Sequence, residues 1–174
     1  MNRILVASIV VVLLLAFGFA LFDKKEIVVP RESYKDATYF IDGSYVTLKN
    51  GVAETEAVPG SASKVVTKYF GNEAIGDLNN DGTIDTAFLL TQQTGGSGTF
   101  YYIVVALKTA EGYVQTNAIF LGDRIAPMPT EIRDGVVIVN YSDRRAGDPM
   151  TTQPSVGVTK KFRVSGGNLV QTKR

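Results

Sequence analysis

The 174-residue chain reads as all-β: an antiparallel β-sandwich or barrel-like domain of about eight to ten short strands, preceded by one N-terminal transmembrane helix. Three observations predict this. From Ala37 onward apolar residues recur with a period of two rather than 3.6. Turn dipeptides (Asp42-Gly43, Asn50-Gly51, Glu111-Gly112, Asp134-Gly135, Gly166-Gly167) punctuate that pattern. Ahead of it, an apolar run from Ile4 to Phe22 is interrupted only by Ser8 and Gly18.

That run comes first in the chain. Its nineteen residues make about 28 Å of helix, close to the roughly 30 Å hydrocarbon core of a bilayer. A secretory apolar region is usually shorter, about 7–15 residues, which favours an uncleaved anchor through residues 4–22. Gly18-Phe19-Ala20 is a small-x-small cleavage site, so secretion after cleavage near Ala20 is the alternative. A buried core helix is the third reading. Lys24, Lys25, Arg31 and Lys35 outnumber Arg3, which by the positive-inside rule would keep the C-terminal domain in the cytoplasm. Long C-terminal domains cross largely regardless of flanking charge, and a cation loop of modest affinity, the reading that the acidic spacing at Asp77–Asp85 invites, would stay empty at cytosolic calcium. The expected placement is a single-pass cell-membrane protein with its C-terminal domain outside the cytoplasm.

Residues 23–36 are polar, with Pro30, and read as a spacer. Residues 37–174 read as one extracytoplasmic domain. Strands are expected at Thr38–Ile41, Tyr45–Leu48 and Lys64–Phe70, with Glu54–Ser63 a loop around Pro59-Gly60. Thr86–Thr91 and Thr99–Leu107 are the most apolar stretches after residue 22, and short continuous runs of this kind predict central strands buried on both faces. Further strands are expected at Tyr113-Val114, Ala118–Leu121, Thr130–Arg133, Val136–Tyr141, Val156–Thr159 through Phe162–Val164, and Leu169–Gln171.

Composition removes most enzyme chemistry. The chain has no histidine and no cysteine, which excludes Ser-His-Asp triads, His-ligated zinc, thiolate nucleophiles, disulfides and a lipoprotein anchor. A formal net charge of +1 offers no basic field for nucleic acid.

One stretch remains with inorganic chemistry in it. Asp77-Leu78-Asn79-Asn80-Asp81-Gly82-Thr83-Ile84-Asp85 sets side-chain oxygens at relative positions 1, 3, 5 and 9, with glycine at 6. Ca²⁺ takes six to eight oxygens at about 2.3–2.6 Å, and alternate residues of a turning loop can supply them. Asp77, Asn79, Asp81 and Asp85 would offer side chains and Thr83 its carbonyl, while Gly82 permits the sharp turn. Glu73 or a more distant aspartate would complete the shell. The bland reading is a hairpin turn at Asn80-Asp81-Gly82 with its acids splayed into water. Carboxylates drawn within about 5 Å repel by roughly 1 kcal/mol per pair in water, and a turn without a cation has no reason to gather them. Position 12, where an EF-hand has glutamate, is Phe88, so the flanks should be strands.

Gly76 through Asp85, followed directly by a strand, resembles the calcium loops of FG-GAP and integrin-type propeller repeats, which implies metal ligation at Asp77, Asn79, Asp81 and Asp85. Together with Thr94-Gly95-Gly96-Ser97-Gly98-Thr99-Phe100-Tyr101-Tyr102, the chain is similar to exported bacterial proteins that carry a single such loop, a family that brings no activity with it. Asn80 stands where glycine is common, and one loop does not make a propeller.

Three other stretches admit a functional reading beside a structural one. Gly95-Gly96-Ser97-Gly98 lacks the Gly-Lys-Ser/Thr of a phosphate loop and precedes a strand, so it reads as a mobile hairpin loop. Tyr101 and Tyr102 should face opposite sides of their strand, one in the core and the other packed or part of an aromatic binding surface. Asp143-Arg144-Arg145 with Asp148 reads as a surface turn, or else as a fork for a carboxylate or sulfate.

The function expected is therefore non-catalytic: a membrane-anchored or secreted calcium-binding β-domain for binding, adhesion or envelope structure, with a protein or glycan partner. The alternatives are a small glycosidase-like hydrolase, needing two carboxylates about 5–9.5 Å apart, and an accessory or inhibitor subunit.

Overall fold

Four two-residue turns set the frame. Asp42-Gly43 (φ 47°, 81°), Asn50-Gly51 (50°, 79°), Asp134-Gly135 (50°, 67°) and Gly166-Gly167 (55°, 78°) hold both central residues at positive φ. Such turns match the right-handed twist of the strands they join. The computed structural model describes residues 32–172; the apolar run at 4–22 and most of the spacer lie outside them. Among the described residues no helix is long and apolar enough to cross a membrane.

Thirteen strands follow a 3-10 turn over Tyr34–Asp36: β1 Thr38–Ile41, β2 Ser44–Thr47, β3 Val52–Glu56, β4 Lys64–Gly76, β5 Asp85–Gln93, β6 Phe100–Thr109, β7 Gly112–Gln115, β8 Ile119–Asp123, β9 Ala126–Pro127, β10 Glu131–Arg133, β11 Val136–Asp143, β12 Val156–Ser165 and β13 Asn168–Gln171. All pairings are antiparallel. A six-stranded sheet runs β3-β4-β5-β6-β7 with β8 also on β6, a five-stranded sheet runs β10-β11-β12-β13 with β9 on β11, and β1-β2 form a separate hairpin.

The six-stranded sheet is covered on both sides. On one face Ala87, Leu89, Ile103, Val105 and Leu107 pack with Val137, Val139, Tyr141, Phe162 and Leu169 of the five-stranded sheet. On the other, Phe88, Leu90, Tyr102, Val104 and Ala106 pack with Tyr39, Ile41, Val46 and Leu48 of the hairpin. The alternation of adjacent residues between two cores is what the period of a strand requires. It explains why β5 and β6 read as unbroken apolar runs.

The all-β, antiparallel expectation holds, with more strands than expected. Residues 54–56, expected in a loop, extend β3 and pair Glu54 with Val66, Thr55 with Val65 and Glu56 with Lys64. Their polarity reflects an exposed edge rather than a break. β4 continues past Phe70 through a bulge, with Gly71 at φ 97° and Asn72 at φ 55° and register shifts on either side of Gly71. The Asn72 amide donates to the Met128 carbonyl (2.8 Å) and its oxygen accepts from the Thr130 N–H (3.2 Å), fastening the bulge to the segment that leads into β10. Tyr34–Asp36, assigned to the spacer, pack with the domain: the Tyr34 ring lies 5.2 Å from Phe88 and 5.3 Å from Tyr113.

Candidate functional site

The acidic loop joins β4 to β5, closing where Gly76 pairs with Asp85. Both flanks are strands, as the missing position-12 glutamate implied. Its base is packed tightly. A Cβ on Gly76 would stand 2.6 Å from Ile132 Cγ2, and Ile132 belongs to β10 of the other sheet. Gly76→Ala is therefore expected to destabilise the domain by about 1–3 kcal/mol through overpacking, measured as a shift in denaturation midpoint; an unchanged midpoint would show that Ile132 yields freely.

Asp85 is the buried anchor, with 0% relative exposure. Its Oδ2 accepts the Leu78 N–H (2.9 Å) and its Oδ1 the Lys108 N–H (2.8 Å), so one carboxylate ties the loop to β6. Burial pushes its pKa up, the two backbone donors pull it down, and the charges of Asp81 and Asp77 add to the upward push. Asp77 organises the turn: its Oδ1 accepts from Asn80 N (2.8 Å) and Asp81 N (3.3 Å), and its Oδ2 from Gly82 N (3.0 Å). Asn80 (φ 60°) and Gly82 (φ 82°) supply the left-handed bends. Asn79 Oδ1 accepts the Asp81 N–H (3.1 Å), and its amide donates to Asp81 Oδ2 (2.8 Å). The Thr83 N–H donates to Asp81 Oδ1 (2.8 Å), and the Thr83 hydroxyl lies against the same oxygen and the Lys108 carbonyl (3.1 Å). These contacts from Thr83 and Asn79 hold the Asp81 carboxyl below its usual range.

The five residues singled out in the sequence are thus brought onto one turn, yet the side-chain oxygens of Asp77, Asn79, Asp81 and Asp85 face N–H and O–H donors. Among the described residues no group of three or more acidic side chains is gathered to hold a metal ion. The donor set is all hard oxygen, which suits Ca²⁺. Asn79 and Asp81 are exposed, so rotating their side chains inward meets little packing. Glu73 does not join the loop. Its Oε1 accepts from the Tyr34 hydroxyl (2.7 Å) and the Tyr69 hydroxyl. Burial works upward on its pKa, but those hydroxyls and Lys35 outweigh it and hold the carboxyl low.

The remaining stretches resolve into structural parts. The glycine-rich loop between β5 and β6 is tethered: Thr99 N donates to Asp123 Oδ1 (2.8 Å) and Arg124 N to the Thr99 carbonyl (2.7 Å). The Arg144 guanidinium is spent on the carbonyls of Thr152 (2.5 Å), Arg124 (3.1 Å) and Asp123 (3.3 Å), and Arg145 N closes a turn on Asp148 (3.2 Å). Tyr101 packs edge-on to Phe70 at 5.2 Å, and Tyr102 is buried in the opposite core.

Sequence reasoning missed a concavity of about 420 Å³ lined by Asp42, Gln92, Thr94, Phe100, Tyr102 and Phe120. Its organising bond runs from the Tyr102 hydroxyl to Asp42 Oδ2 (2.5 Å), sixty residues apart in sequence, a pairing for which the sequence carries no local signal. Comparison of the chain with protein-family models, curated proteins and solved structures finds no match.

Proposed function

We propose that the chain is a calcium-stabilised, non-catalytic β-domain, held at the outer side of a cell membrane through residues 4–22 and serving binding, adhesion or envelope structure. The resemblance of the Gly76–Asp85 loop to FG-GAP and integrin-type calcium loops supports this reading, as does its all-oxygen donor set. The observation that carries it is Asp85: a fully buried carboxylate, pressed by the charges of Asp77 and Asp81. None of the three ion pairs among the described residues reaches the loop. A divalent cation between Asp77, Asn79, Asp81, Thr83 and Asp85 would relieve that repulsion and fasten the β4–β5 turn to β6.

The cation acts by linkage, adding RT ln(1 + [Ca²⁺]/Kd), about 2.7 kcal/mol at a hundredfold excess over Kd. Thermal melts of the domain in calcium and in chelator test this. The midpoint is expected to rise with calcium concentration, and superimposable melts would sink the proposal.

A further inference from the structure

At the far end of β5 from the acidic loop, roughly 23 Å away at about 3.3 Å per residue, the concavity beside Asp42 has the composition of a binding site. Its volume of about 420 Å³ falls within the roughly 300–1,000 Å³ usual for small-molecule pockets. Phe100 and Tyr102 project from the same face of β6, and Phe120 reaches them from β8. The ring centroids stand 6.3 Å (Phe100–Phe120) and 5.6 Å (Tyr102–Phe120) apart. Phe120 keeps 47% of its surface exposed, an open aromatic face beside a hollow.

At the hydroxyl end of Tyr102 the β1–β2 turn presents Asp42, held at φ 47° with one oxygen fixed by that hydroxyl. Burial, with the Asp42 bond and charge adding to it, pushes the Tyr102 pKa up, so the phenol stays a donor. Asp42 belongs to none of the ion pairs among the described residues, and no lysine or arginine lines the hollow. Ring faces carry partial negative charge. A hollow that offers the rings of Phe100 and Phe120 beside the carboxylate of Asp42 is therefore matched by a cation with an apolar surface. A saccharide fits less well, since it needs several free donors and acceptors. Here the Gln92 amide is committed to Thr67 (3.2 Å) and the Tyr102 hydroxyl to Asp42.

We propose that the hollow formed by Asp42, Phe100, Tyr102 and Phe120 binds an organic quaternary ammonium group. The rings of Phe100 and Phe120 contact the N-methyl groups, and Asp42 supplies the countercharge at the hairpin tip. The site does not depend on calcium in the Asp77–Asp85 loop.

Calorimetric titration of the full chain in a nonionic detergent, once in calcium and once in chelator, tests this. The probes are choline, phosphocholine, the neutral isostere 3,3-dimethylbutan-1-ol and methyl glucoside. Choline is expected to bind in both buffers, about tenfold more tightly than the isostere. A preference between choline and phosphocholine distinguishes a free ammonium from one carried on phosphate. Asp42→Asn retains an acceptor for Tyr102 and tolerates positive φ, while Phe120→Ala removes an exposed ring. Each is expected to weaken choline about tenfold with the melting midpoint lowered by no more than a few degrees. Equal affinity for choline and the isostere, binding of the glucoside alone, or no heat with choline would each overturn the proposal. So would variants that fold normally and bind choline like the parent.

Discussion

Asp85→Ala is expected to lower the unfolding free energy of the domain by about 2–4 kcal/mol in chelator, and by more in calcium, where the metal-dependent increment is lost as well. The substitution strips the acceptor from two backbone donors, Leu78 N and Lys108 N, at a site closed to water. Each orphaned buried donor costs about 1–3 kcal/mol, offset in part because a desolvated charge disappears with the carboxylate. Asp85→Asn separates the hydrogen-bonding role of the side chain from the proposed metal-binding one. In chelator it removes the like-charge repulsion from Asp77 and Asp81 while keeping one acceptor, so it should lie within about 1 kcal/mol of the parent. In calcium it should lose the metal-dependent increment. Guanidinium denaturation of the parent and both variants, with and without calcium, checks this. An Asn variant equally destabilised in both buffers would reduce Asp85 to a hydrogen-bond acceptor.

Phe88→Ala is expected to cost about 3–5 kcal/mol, the largest single loss in the aromatic layer. The ring is fully buried, and it is surrounded by Tyr34 at 5.2 Å, Tyr69 at 5.4 Å and Tyr39 edge-on at 5.9 Å. Those neighbours hang on three separate elements: the opening 3-10 turn, β4 and β1. Truncation leaves a cavity that no one of them can close alone, and the void adds to the lost transfer energy. Phe120→Ala on the same sheet, with half its ring already in water, should cost under about 1 kcal/mol. Denaturation midpoints measured side by side decide it. Near-equal losses would mean that the hairpin layer does not enclose Phe88.

Much of the fold is legible where local chemistry leaves one choice. Asp42-Gly43, Asn50-Gly51 and Asp134-Gly135 can form tight hairpins because their residues accept positive φ, and the apolar runs of β5 and β6 admit burial on both faces. What stays hidden depends on partners distant in sequence. Gly71-Asn72 looks like a strand end, yet it is a bulge, because Asn72 finds the Met128 carbonyl and the Thr130 N–H. Glu54 and Glu56 look like loop residues, but backbone pairing with β4 overrides their low strand preference. At the acidic loop the spacing reveals which residues share the turn. It does not reveal that Asp85 is buried and held by Lys108 N, since that contact forms only when β6 lies alongside.

The two-sided burial of β5 and β6 also sets an order of events during synthesis. The hairpin that covers one face is made before them, so the aromatic layer can close as soon as β6 emerges. The opposite face waits for Phe162 and Leu169, near the end of the described chain, which takes several seconds longer at about 5–20 residues per second. Through that interval Leu89, Ile103 and Val105 form a bare apolar strip. A newly made chain would therefore be most prone to adhere to its neighbours just before the β12–β13 hairpin docks.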